Sequence, residues 1–164
     1  MVQIRILNKN NDLETAVRIL QEANATVAAD LSYTIETAPT NPAFIGIEAL
    51  AEELTHEREF YLLEAERDIV GIVALEKSPK EDALYFIERL AVLPQFRHKG
   101  YGRLLMDYAS ERAAEKRGRR VSVAIINENT QLKDWYNALG FEETGQKKFD
   151  HLPFTVCFMQ KELA

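Results

Sequence analysis

The stretch Leu90-Ala91-Val92-Leu93-Pro94-Gln95-Phe96-Arg97-His98-Lys99-Gly100-Tyr101-Gly102 decides how the chain is read. An apolar run ends here and an amphipathic helix, expected to run to about Arg117, begins. Gly100 and Gly102 are two of only seven glycines. Glycine lets a backbone come close to a ligand. The free N–H groups and dipole of a helix start attract anions, and Arg97, His98 and Lys99 add positive charge. Together these features describe a cradle for a diphosphate. The blander alternative is a tight strand-to-helix turn carrying solvated basic side chains. A dinucleotide-binding turn fits less well: its third glycine position is Leu105, and no acidic ribose ligand is evident on the next strand. A P-loop is excluded because no Gly-Lys-Ser/Thr is present.

Working outward, the residues before this stretch read as a long strand from about Leu84 to Val92. Two further strands, Phe60–Ala65 and Ile69–Leu75, flank the hairpin turn Glu66-Arg67-Asp68. Residues 2–7 alternate like a strand. A helix is expected from Asn11, with Glu14 completing a capping box and Leu13, Val17, Leu20, Val27 and Leu31 forming its stripe. Ser32–Thr40 is loop-like. Asn41-Pro42 then reads as the cap and first position of a second helix, with Ile47, Leu50 and Leu54 buried and Glu48, Glu52, Glu53 and Glu57 in water.

Beyond the central loop, Gly118 ends the helix and Arg120–Ile126 is a strand rich in valine and isoleucine. Residues 130–139 form a short helix ending at Gly140, and two strands near 141–149 and 153–161 close the chain. The order is β-α-α-β-β-β-α-β-α-β-β. Hairpins beside β-α-β crossovers predict an α/β domain, a mixed sheet of about seven strands with helices on both faces. No linker or repeat divides it, so residues 1–164 read as one domain.

Composition narrows the function classes. The formal net charge of −6 argues against general nucleic-acid affinity. No apolar run approaches the length needed to span a bilayer, and the N-terminus lacks the pattern of a signal peptide. The lone Cys157 cannot form an internal disulfide and suits a reducing compartment. The expectation is a cytoplasmic protein with no membrane or nucleic-acid partner. Three histidines and one cysteine show no ligand spacing, so no metal is expected.

Two blocks carry a family resemblance. Arg97-x-x-Gly100-x-Gly102, preceded by Leu-Ala-Val-Leu-Pro, resembles the Gln/Arg-x-x-Gly-x-Gly/Ala signature and fourth strand of the GNAT superfamily, the Gcn5-related N-acetyltransferases. Asn129-x-x-Leu-Lys-Asp-Trp-Tyr-Asn-Ala-Leu-Gly-Phe141 resembles that family's C-terminal motif. The element order is similar too, although the N-terminal half matches only in outline. The resemblance implies a GNAT fold, acetyl-coenzyme A as cosubstrate, and direct acetyl transfer to an amine in a ternary complex. It implies that residues 97–102, including Tyr101, hold the diphosphate. The pantetheine arm would lie along the backbone of Leu90, Ala91 and Val92, where the strand splays from 120–126, and a backbone N–H near Val92 would polarise the thioester carbonyl.

Within this frame Tyr136 occupies the general-acid position, facing the departing thiolate; its structural alternative is packing beside Trp135. Asn129 would hold the cofactor's arm by its amide, or else cap the short helix. Glu88, flanked by apolar residues on the fourth strand, is the candidate base, since burial would raise its pKa; the alternative is an ion pair with a basic neighbour. His151 is a weaker candidate base. His56 and His98 read as surface residues and Cys157 as core. The acceptor walls would be Asp30–Phe44 and Phe149–Phe154, which contain Tyr33, Glu36, Asp150 and His151. The acceptor amine, a small molecule or peptide, is not selected by the sequence. Oligomeric state is open, a homodimer included. A non-catalytic coenzyme A sensor or interaction module of the same fold is the rival from another functional class.

Overall fold

The computed structural model describes residues 1–54 and 58–163. His56 and Glu57, read above as surface groups, lie outside the described residues. Seven strands form one mixed sheet in the order β1-β2-β3-β4-β5-β7-β6. They are β1 (Gln3–Ile6), β2 (Arg58–Ala65), β3 (Asp68–Lys77), β4 (Leu84–Val92), β5 (Arg120–Ile126), β6 (Glu142–Lys148) and β7 (Thr155–Glu162). The helices are α1 (Leu13–Asp30), α2 (Ile47–Glu53), α3 (Tyr101–Glu115) and α4 (Thr130–Ala138). The element order is the one the sequence predicts.

Period-2 alternation sorts the side chains onto two faces. One core joins α1 and α2 to Phe60 and Leu62 of β2, Ile72 and Ala74 of β3, and Ala91 of β4. The other joins α3 and α4 to Tyr61, Leu75, Ile87, Val123 and Cys157 on the opposite face. Burial of these side chains is what orients the strands.

Three local expectations are corrected. The α1 cap is Asp12, not Asn11. Arg5 holds the Asp12 carboxylate with Nη1 at 2.7 Å, and the Asn8 N–H donates to it at 2.6 Å. Asn41 does cap, accepting from Ala43 N at 2.9 Å, but the element it caps is a 3-10 turn at Pro42–Phe44. The helix itself starts later, at Ile47, and this shift turns Ile47 out to 44% exposure while Leu50 stays buried. Glu53 does not face water: it pairs with Arg58 and Arg89.

Helix α3 ends at Glu115, and the left-handed residue beyond it is Arg117 at φ 69°. Gly118 serves instead for close approach: a Cβ there would lie 2.7 Å from Tyr85 Cδ1 and 2.8 Å from Ala113 O.

Strand β4 pairs with β5 in parallel only over Leu84↔Arg120, Tyr85↔Val121 and Phe86↔Ser122. Beyond Phe86 the two strands part. On its other edge β4 carries a bulge: Ala74 pairs with Glu88 and Ile72 with Ala91, so Arg89 and Leu90 stand opposite one residue. Arg89 has φ 55°, in the left-handed region that a bulky residue rarely occupies. The bulge shifts the alternation by one, so that Glu88 and Ala91 both face the α1/α2 side.

Candidate active site

A cavity of about 470 Å³ fills the gap between the parted strands. Residues 86–90 of β4 form one wall and residues 122–126 of β5 the other. Asn129, Leu132 and Tyr136 close it from the α4 side, and Asn24, Val27 and the loop at Ala38–Pro42 from the α1 side. The cavity therefore passes through the sheet and connects its two faces.

Tyr136 packs edge-on against Trp135 and Phe141, with ring centroids 4.9 and 5.3 Å away. Its side chain is buried, and burial pushes its pKa above the usual tyrosine value, so the hydroxyl keeps its proton. No described residue hydrogen-bonds to that hydroxyl, yet it is not a sealed orphan. It opens on the cavity.

Glu88 lines the cavity from the other face. Burial raises its pKa, and Arg58 opposes the shift with Nη2 3.0 Å from the Glu88 carboxylate. Both sequence readings of Glu88 thus hold at once: it is a buried carboxylate and it has a cationic partner. Arg58 also pairs with Glu53, and with Glu76 at 2.6 Å. Arg89 Nε lies 3.1 Å from Glu53. Sequence reasoning missed this five-residue cluster, whose members come from α2, β2, β3 and β4. The Arg58↔Glu76 strand register that builds it is a long-range fact.

The residues read as a cradle, 97–102, form the turn between β4 and α3 and do not line the cavity. After β4 a 3-10 turn at Pro94–Phe96 leads to His98 at φ 64° and Gly100 at φ 83°. Gly100 caps α3 in the left-handed conformation, with open space where a Cβ would stand. A Cβ on Gly102 would touch Trp135 at 3.4 Å. The first-turn N–H groups of α3 have no partner within the helix. His98 and Lys99 are exposed, and Lys99 reaches Glu66 at 3.3 Å. Arg97 is engaged inward: its guanidinium donates to Ala23 O at 2.5 Å, Thr26 Oγ1 at 3.2 Å and Val92 O at 3.3 Å. It anchors the loop to α1. Leu90 and Val92 pack their side chains on the α3-side core, and Tyr101 joins them.

Asn129 caps α4, its Oδ1 accepting from Leu132 N at 3.1 Å. The cap leaves its amide NH2 for another partner, and Asn129 lines the cavity. His151 is exposed beside Phe149 and does not line the cavity. Cys157 is buried, with its thiol pushed up to about 11 by burial, which suits a core residue and not a nucleophile. Among the described residues no group of His, Cys, Asp and Glu could hold a metal ion. No helix of the described residues is long and apolar enough to cross a membrane.

The family model of the GNAT acetyltransferase domain matches residues 56–143, more than half of the 164-residue chain. The chain belongs to the GNAT acetyltransferase family. A streptothricin acetyltransferase of Streptomyces lavendulae is 28% identical over 111 residues, or 68% of this chain. The match spans 58% of that relative's length. The ribosomal-protein-S18-alanine N-acetyltransferase of Escherichia coli superposes with a TM-score of 0.78 at 15% identity, over 100% of this chain and 95% of that one. The paia N-acetyltransferase of Thermoplasma acidophilum, solved with coenzyme A, superposes with a TM-score of 0.76 at 18% identity over 99% of each chain. These likenesses establish the GNAT fold. The parted β4 and β5, the bulge and the glycine-capped α3 are how this GNAT chain builds it.

Proposed function

We propose that the chain is an N-acetyltransferase that passes the acetyl group of acetyl-coenzyme A to an amine by direct attack in a ternary complex. One observation carries the reading: the cavity through the sheet exposes the Tyr136 hydroxyl on the α4 side and the Glu88 carboxylate on the α1/α2 side. A proton donor and a proton acceptor thus share one space. Acetyl-coenzyme A supplies the thioester. The helix-start N–H groups at Gly100–Gly102, with His98 and Lys99 nearby, suit its diphosphate. Arg97 contributes by fixing the loop to α1. The β4 edge left unpaired beyond Phe86, at Leu90, Ala91 and Val92, suits the amide groups of the pantetheine arm, and the Asn129 amide adds a donor.

In this reading Glu88 takes the proton of the attacking ammonium. The carboxylate is ready for that role because burial raises its pKa while Arg58 keeps it within reach of ionisation. Tyr136 donates to the departing thiolate, and its raised pKa keeps the proton in place until then. We read residues 1–164 as one such domain, acting in the cytoplasm. The test is incubation with acetyl-coenzyme A and a panel of amines, with free thiol release and product mass both recorded. Thiol release with an acetylated amine supports the reading. Tight cofactor binding without transfer to any amine would instead favour a coenzyme A sensor.

A further inference from the structure

We infer that the acceptor is a compact amine with a single positive charge on an apolar body, and that Phe154, backed by Tyr33, sets how long that body can be. The inference rests on the N-acetyltransferase reading and narrows it.

Helices α1 and α2 cover β2, β3 and β4 on their face of the sheet. The same face of β5 and β7 looks into the cavity through Ser122, Ala124, Val156 and Phe158. This floor is apolar apart from one hydroxyl. Phe86 borders it from β4, and Val27 and Pro42 line it from above. Among the described residues Glu88 is the one acidic residue of the lining and Arg89 the one basic residue; the other polar liners are neutral. Arg89 is already turned to Glu53.

Charge and shape then restrict the acceptor. One ammonium finds Glu88. A second or third on the same molecule would sit against Phe158 or Val156, and Glu128, whose charge acts on Tyr33, stands outside the lining and already accepts from Thr155 N at 3.0 Å; burying a charge without a partner is costly. At the far end Phe154, in the segment before β7, lines the cavity. Tyr33, in the loop after α1, stands behind it with ring centroids 5.6 Å apart. The contact joins the loop after α1 to the segment before β7, so that the Phe154 ring is braced where it borders the cavity.

The test measures amine binding by calorimetry with coenzyme A present, using 2-phenylethylamine, 4-phenylbutylamine, spermidine and an alanine-initiated tetrapeptide as probes. 2-Phenylethylamine is expected to bind at least tenfold tighter than spermidine or the peptide. A pocket that gains or loses a few methylenes discriminates by about tenfold or more. Phe154→Ala should weaken 2-phenylethylamine and improve 4-phenylbutylamine relative to it, with coenzyme A affinity within about twofold of the parent. Tyr33→Phe, which keeps the ring, should leave the order unchanged and controls for folding. Spermidine or the peptide binding as tightly as 2-phenylethylamine would overturn the inference, as would an order insensitive to Phe154→Ala. Acetyl transfer is read separately. Selective binding without transfer would sink the N-acetyltransferase reading and leave the selectivity standing.

Discussion

Arg58 Nη2 lies 3.0 Å from the Glu88 carboxylate, and both residues ride the α1/α2 face of the sheet on strands separated by β3. The contact works against burial, which raises the Glu88 pKa. Because the folded pKa is raised, Glu88 in the fold holds a proton that the unfolded chain has already released. Its own contribution to stability is therefore greatest below the ordinary carboxylate range and falls as pH rises through the folded pKa. A base must be ionised, so turnover should rise with pH over that same window. Glu88→Gln should lower kcat by about a hundredfold to ten-thousandfold and abolish the acidic limb of the pH–rate profile. Arg58→Lys keeps a charge but loses the forked contacts, so the limb should move to higher pH. A profile unchanged in both variants would remove Glu88 from the mechanism.

Gly118→Ala should destabilise the fold without touching the site. A Cβ there would meet Tyr85 Cδ1 at 2.7 Å and Ala113 O at 2.8 Å, and neither the ring in the core nor the helix backbone can yield cheaply. Overpacking of this kind costs about 1–3 kcal/mol. Urea denaturation should show a lower midpoint with the same slope, and acetyl-coenzyme A affinity should not change.

Asn129 has two separable roles. Its Oδ1 caps α4, and its NH2 is proposed to meet the cofactor's arm. Asn129→Ala should lose about 1 kcal/mol of stability, while Asn129→Asp keeps an acceptor and most of the cap. Both should bind acetyl-coenzyme A about twofold to tenfold more weakly, the value of one net hydrogen bond. Full affinity in the aspartate variant would reduce Asn129 to a cap.

The element order and the glycine-bearing turn into α3 were legible because they are local. The valines and isoleucines of Arg120–Ile126 and the paired glycines at 100 and 102 are visible within a few residues. The Asn129 cap was legible as an even alternative, and the Oδ1 bond to Leu132 N shows that half of it. The features that escaped depend on register between distant strands. Arg58 meets Glu76 and Glu88 only because β2, β3 and β4 align as they do, and nothing near Glu53 marks it as an inward residue. The bulge at Arg89 escaped because arginine is not a residue that advertises a positive φ. Ile47 was misplaced because an unforeseen 3-10 turn delays α2 and rotates its stripe.

The central claim turns on the Tyr136 hydroxyl, which opens on the cavity with no described residue bonded to it and with its proton held by burial. Tyr136→Phe keeps the ring against Trp135 and Phe141 and removes only the donor. Acetyl-coenzyme A affinity and thermal stability should therefore survive. The loss should fall on kcat, since the donor acts only as the carbon–sulfur bond breaks. The measurement is kcat of Tyr136→Phe, with an acceptor from the amine panel and with chemistry shown to be rate-limiting. A fall of about a hundredfold to ten-thousandfold at unchanged cofactor affinity is predicted; a fall of less than about threefold would contradict the account.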